Sequence, residues 1–98
     1  MARQVNLTVN GRPIKVENFV SAFIDHTLVG MLGSLKFTGP VRNLSLSIKG
    51  EAAVIILNGA PLAVNGFVQK IIRSTVLGMV APLKGVGEVK TLVIQVAG

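Results

Sequence analysis

The sequence repeats itself at an offset of 48 residues, and this repetition constrains the fold more than any other feature. When residues 3–50 are laid over residues 51–98, no gap is needed and sixteen of the 48 pairs are identical, among them the turn residues Asn10 and Asn58. Self-similarity at a fixed offset indicates that the chain contains the same structural unit twice. Two copies are too few for a solenoid, so the sequence predicts one domain, residues 1–98, with a pseudo-twofold axis.

Each copy has the pattern of a hairpin, a helix and a closing strand. The stretch VNLTVNGRPIKV alternates apolar and polar residues around Asn-Gly, the strongest short-range hairpin signal, and AVIILNGAPLAV repeats it. Pro13 and Pro61 cannot donate to a strand ladder, which favours edge strands for that arm. The stretches NLSLSIKG and TLVIQVAG have alternating apolar residues typical of a strand. We expect an α+β fold, (ββαβ) twice, with a six-stranded, largely antiparallel sheet and two helices on one face; the strand order is open.

The helices are indicated by apolar residues at helical spacing, from Phe19 to Leu35 and from Phe67 to Leu83. This spacing places three phenylalanines, Phe19, Phe23 and Phe67, among the residues expected to face the core. Pro82 is expected to end the second helix near Val80 or Ala81. Small residues outside the apolar stripe, which we expect to pack the two helices against each other, are Ala22, Gly30, Gly33, Gly78 and Ala81.

The two copies differ on the sheet face that is turned away from the helices. Polar residues of the first copy are replaced there by Val54, Ile56 and Val93 in the second. A solvated sheet face alternates with polar residues, whereas a covered face does not need to. Scattered apolar residues are also common on ordinary surfaces. We take Val54, Ile56 and Val93 as the candidate interface of a homodimer or higher homo-oligomer.

The composition limits the cellular setting and the chemistry. The chain has no cysteine, which excludes disulfides, thiolate nucleophiles and cysteine-ligated zinc. The start, MARQVNLTVNG, lacks the apolar run of a secretory signal, so we expect a cytoplasmic protein. Residues 52–69 carry no charge, but they contain two Asn-Gly pairs and Pro61, which are turn signals. We therefore expect no membrane span.

No pattern of residues indicates a catalytic site, a cofactor or a metal. His26 is the only histidine, and on a helix the adjacent Asp25 points about 100° away from it. No second histidine lies at metal-ligand spacing, and neither a phosphate-binding loop nor a nucleophile elbow occurs. The sequence therefore favours a non-enzymatic, homo-oligomeric interaction or scaffold module.

The net charge of +6 supports a competing hypothesis, a small basic nucleic-acid-binding protein. Its candidate contacts flank the loop between helix and closing strand in each copy: Lys36, Arg42, Lys84 and Lys90. The same charge also serves the solubility of a chain with few charged residues. A third hypothesis is a small ligand bound between the helices.

The order hairpin, helix, strand resembles a β-grasp, and VNLTVNGRPIKV is similar to the opening hairpin of sulfur-carrier proteins. That resemblance covers the hairpin and the helix. Sulfur carriers end in Gly-Gly, where this chain has Ala97-Gly98, so the carrier function is not transferred to this chain.

Overall fold

A computed structural model describes residues 4–34, 41–83 and 85–97 of the chain. The order of elements is ββαβ, twice, in the α+β class that the sequence predicts. The elements are β1 (Gln4–Val9), β2 (Arg12–Ile14), α1 (Asn18–Ser34), β3 (Asn43–Lys49), β4 (Ala52–Leu57), β5 (Ala60–Leu62), α2 (Gly66–Val80) and β6 (Thr91–Ala97). The origin of the two halves by duplication stays a prediction from the sequence.

Both hairpins turn on Asn-Gly with the same backbone conformation. The φ angles are 53° at Asn10 and 80° at Gly11, and 50° at Asn58 and 84° at Gly59. Positive φ at both central residues defines the turn that matches the twist of an antiparallel hairpin. Asparagine and glycine adopt this conformation at the lowest cost, so the sequence prediction of both hairpins is confirmed.

The six strands form one antiparallel sheet in the order β2-β1-β6-β3-β4-β5. Pro13 in β2 and Pro61 in β5 lie on the two edge strands, as their missing N–H groups require. The closing strand of each half pairs with the hairpin of the other half, so the halves interleave. Gln4 is the register partner of Ala97.

The core lies between one face of the sheet and the two helices. Each helix buries one residue per turn against the sheet: Ile24, Leu28 and Leu32 in α1, and Ile72, Val76 and Val80 in α2. The buried residues of the four inner strands alternate with exposed or half-buried ones, and they are Leu7, Val9, Leu44, Leu46, Ile48, Ala53, Ile55, Leu57, Leu92, Ile94 and Val96. Both helices therefore cover the same face.

The ends of α2 follow from local chemistry. The side chain of Asn65 accepts a hydrogen bond from the backbone N–H of Val68 at 2.8 Å, which satisfies one of the free donors of the first turn. The helix ends at Val80, two residues before Pro82, where the sequence predicts its end.

The prediction that Phe19, Phe23 and Phe67 lie in the core is wrong. Their side chains are 80%, 50% and 72% exposed, respectively. A helix lying on a sheet buries a narrow stripe, here Ile24 and the residues one and two turns later. At about 100° per residue, Phe19 lies about 180° from the centre of that stripe, on the side facing away from the sheet.

The prediction that the helices pack on each other through their small residues is also wrong. Gly30, Gly33 and Gly78 are exposed, as are Ala22 and Ala81. A Cβ atom placed on any of the three glycines would meet no atom of the described chain within 4 Å. The glycines lie on the outer sides of the helices, where the interior of the domain does not explain them.

Candidate interaction surfaces

The outer sheet face, which we define as the sheet surface turned away from the helices, carries two central rows of side chains. The strand register places four residues side by side in each row. The first row is Thr8, Val93, Ser47 and Val54. The second row is Asn6, Gln95, Ser45 and Ile56. The rows follow from antiparallel pairing, which sets residues of neighbouring strands directly opposite each other.

The structure places all three residues of the predicted interface on the outer sheet face. Val54 is 52% exposed and Ile56 is 41% exposed, and because they are two residues apart on β4 they are neighbours. Val93 is half-buried and lies in the row of Val54, but Ser47 on β3 stands between them. The separation of two strands is about 9.6 Å. Val54 and Ile56 therefore form an adjacent apolar pair, and Val93 lies apart from them.

Neither central row of the outer sheet face contains a charged residue. The rows consist of Ser, Thr, Asn, Gln, Val and Ile, although the chain carries ten Lys and Arg and four Asp and Glu. Depletion of charge is the compositional mark of an interface core. Lys49, which pairs with Thr91 and Ala52, borders the rows at one end.

A second surface, which the sequence did not reveal, lies on the outer side of α1. We define the α1 outer strip by the six exposed residues between the two ends of the helix: Phe19, Ala22, Phe23, His26, Gly30 and Gly33. The rings of Phe19 and Phe23 are stacked, with centroids 6.2 Å apart and planes 8° from parallel. On α2, Phe67 and Ile71 are exposed at 72% and 47%. At about 100° per residue, these exposed residues fall on the side of each helix that faces away from its buried stripe.

The predicted nucleic-acid contacts do not converge in the part of the chain that the structure describes. Lys36 and Lys84 lie outside the described residues. Arg42 and Lys90 are exposed and precede β3 and β6, which pair antiparallel over seven residues. The two cations therefore lie beyond opposite ends of this strand pair, eight register positions or about 26 Å apart.

Both loops before the closing strands are held by the turn asparagines. Asn58 Oδ1 accepts from the backbone N–H groups of Arg42 and Asn43 at 2.8 and 3.0 Å. Asn10 Oδ1 accepts from those of Lys90 and Thr91 at 2.7 and 3.0 Å. Arg42 and Lys90 thus have fixed backbones, and each hairpin turn anchors a strand of the other half.

His26 and Asp25 do not form a cluster with other ligand residues. Among the described residues, no group of three or more His, Cys, Asp or Glu side chains is arranged to hold a metal ion. His26 is exposed in the middle of α1, and its neighbours in the α1 outer strip are apolar or glycine.

The space between the helices and the sheet is a narrow apolar cleft. Its volume is about 10 Å³, against the several hundred Å³ of small-molecule sites. Its lining is entirely apolar, with no polar group to orient a ligand, and consists of Leu28, Met31, Leu32, Leu44, Leu46, Ile55 and Ile72. This geometry does not favour the hypothesis of a small ligand there.

Comparisons with protein families, with curated proteins and with solved structures find no match to this chain. Neither α1 nor α2 has the length and apolar character needed to cross a bilayer, and the described residues contain no other helix.

Proposed function

We propose that this protein is a non-enzymatic interaction module of the cytoplasm that forms homo-oligomers through its outer sheet face. The observation that carries the proposal is the absence of charge from both central rows of that face, together with the exposure of Val54 and Ile56. Copies with a net charge of +6 repel each other, so close contact requires a surface without charge.

The size of the face supports a stable contact. The Cα atoms extend over 34 × 33 × 19 Å, so the molecule is a slab whose broad side fits within a rectangle of about 1,100 Å². A standard interface buries about 800 Å² per partner. One broad side therefore supplies the area of a specific dimer.

The chemistry of the face suits two sheets packed face to face. Sheets stack at about 10 Å, a distance at which side chains from both surfaces interdigitate. Val54 and Ile56 supply apolar contact, and the hydroxyl and amide groups of the rows donate and accept hydrogen bonds. A twofold axis would bring the same surface patch of both copies together.

The test is the mass in solution of the wild type and of the double variant Val54→Lys/Ile56→Lys, measured by light scattering. Concentrations of about 10–100 μM are suitable, because interfaces of standard size bind with micromolar or tighter affinity. We expect the wild type to be at least dimeric. The double variant should lose the sheet contact, because each copy then brings two cations to the interface. Ala60→Lys is the matched control, since it adds a lysine at an exposed position of edge strand β5 and should not change the mass.

Circular dichroism establishes that each variant is folded. A wild type that is monomeric throughout this concentration range contradicts the proposal. So does a folded double variant with the mass of the wild type. Native mass spectrometry of the wild type reports co-purified nucleic acid, which would instead support the competing hypothesis based on Arg42 and Lys90.

A further inference from the structure

Helix α1 lacks the charged outer side of a solvated surface helix. Its seventeen residues, NFVSAFIDHTLVGMLGS, contain Asp25 and His26 as the only ionisable side chains. A helix on the surface of a soluble domain normally carries polar and charged residues opposite its buried stripe. In α2, exposed Lys70 supplies a charge at the position that corresponds to Ala22 of α1. The outer side of α1 therefore has the composition of a covered surface.

The α1 outer strip has two unlike halves. Its N-terminal half carries the stacked rings of Phe19 and Phe23. Its C-terminal half carries Gly30 and Gly33, where an added Cβ atom would meet no atom of the described chain within 4 Å. Bulky side chains thus stand at one end of the strip and shallow hollows lie at the other. Glycine is a poor helix former, and nothing within the described domain packs against these two.

The two halves of the strip match each other when one copy is turned end to end. Residue 26 is midway between 19 and 33, and also midway between 22 and 30. A twofold axis at His26 therefore sets Phe19 opposite Gly33 of the second copy, and sets Ala22 opposite Gly30. Phe23 then lies beside Gly30 of the second copy. Small residues allow helix backbones to approach closely.

We propose that the α1 outer strip docks on the same strip of a second copy, antiparallel, about a twofold axis at His26. The aromatic pair of each copy packs onto the glycines of the other. This contact is independent of the outer sheet face. Its larger consequence rests on the proposed function: two self-complementary contacts on opposite sides of a slab 19 Å thick build a stack that alternates between them.

A cysteine at the axis tests the register directly, because the chain has no cysteine of its own. In His26→Cys the two thiols of a dimer face each other, and oxidation should yield a disulfide-linked dimer. Ser34 is also exposed on α1, eight residues from the axis. At 1.5 Å per residue on each side of the axis, the two thiols of a Ser34→Cys dimer would lie about 24 Å apart. That variant should stay unlinked. Equal linkage in both variants, or none in His26→Cys, would overturn the register.

Filling the hollows tests the contact itself. Gly30→Gln/Gly33→Gln places two long side chains in the hollows, and glutamine is a better helix former than glycine. The variant should melt at a higher temperature than the wild type and yet self-associate at least tenfold more weakly, about 1.4 kcal/mol. A merely structural role for the glycines would not raise stability while lowering association. Thr75→Gln, exposed on α2, is the matched control.

Combining these changes with Val54→Lys/Ile56→Lys separates the two contacts. We expect a stack for the wild type, a dimer when either contact is blocked, and a monomer of 10.3 kDa when both are blocked. A sheet-blocked variant that is already monomeric overturns the α1 contact and leaves the proposed function standing. If Gly30→Gln/Gly33→Gln is monomeric and the sheet-blocked variant has the mass of the wild type, the α1 contact stands and the proposed function is overturned. If the protein instead floats as a monomer with phosphatidylcholine–phosphatidylserine vesicles, the α1 outer strip binds a membrane surface. That result would overturn the proposed contact between two copies.

Discussion

The side chain of Asn10 joins the first hairpin to the start of the last strand, and its removal has a calculable cost. It accepts from Lys90 N at 2.7 Å and from Thr91 N at 3.0 Å, and its Nδ2 donates to the carbonyl of Glu88 at 2.6 Å. The groups are exposed, so water replaces the lost partner and each bond contributes near the low end of the usual range, about 0.5 kcal/mol. The three together contribute about 1.5 kcal/mol.

Three substitutions separate the causes. Asn10→Gly keeps the positive φ and removes the three bonds, so we expect a loss of about 1.5 kcal/mol in the free energy of unfolding. Asn10→Ala also forces a Cβ into the left-handed region, which adds about 1 kcal/mol or more. Asn10→Asp keeps both acceptor bonds, but it replaces the donor to Glu88 with a carboxylate oxygen that faces the same carbonyl. We expect a loss of at least about 0.5 kcal/mol, smaller than that of Asn10→Ala.

Urea unfolding followed by circular dichroism measures these differences, at one protein concentration, because association affects apparent stability. For a domain of this size a loss of 1.5 kcal/mol lowers the melting temperature by about 6–12 °C. The equivalent series at Asn58 should show the same order. If Asn10→Gly is as stable as the wild type, or if Asn10→Asp is as damaging as Asn10→Ala, the reasoning is refuted.

Two further predictions concern the helices and the core. Asn65→Ala removes the acceptor for Val68 N and should cost about 1 kcal/mol in thermal unfolding; an unchanged melting temperature would show that the cap contributes nothing. Leu46→Ala, at a side chain 1% exposed, should cost about 2–5 kcal/mol, whereas Phe67→Ser, at one 72% exposed, should change the stability of the monomer in which both contacts are blocked by less than about 0.5 kcal/mol. Similar losses in the last two variants would place Phe67 in the core after all.

The features that the sequence predicts correctly are local ones. The Asn10-Gly11 turn, the edge position of Pro13 and the end of α2 before Pro82 depend on the conformational preferences of one or two residues. Alternation along NLSLSIKG is likewise visible within one strand. For these elements, neighbouring residues carry nearly all of the information.

The features that the sequence could not reveal depend on distant parts of the chain. Pairing of β6 with β1 and β3 is a choice among strands far apart in sequence, and no local pattern encodes it. For the same reason, the interposition of Ser47 between Val54 and Val93 was not predictable. The sequence does not predict the orientation of α1 correctly, because apolar residues occur on every side of the helix and their periodicity does not distinguish Ile24 from Phe19.

The pairing of Gln4 with Ala97 has a consequence for how the chain can be reconnected. At the opposite end of the sheet, Lys49 and Ala52 form the equivalent pair of the repeat, and the two-residue turn of Gly50 and Glu51 joins them. Joining Ala97 to Gln4 through a similar turn and opening the chain between Gly50 and Glu51 would give a circular permutant with the same strand order. In that permutant the pairing of β1 with β6 becomes a hairpin contact, and the pairing of β3 with β4 becomes the one that closes the longest loop.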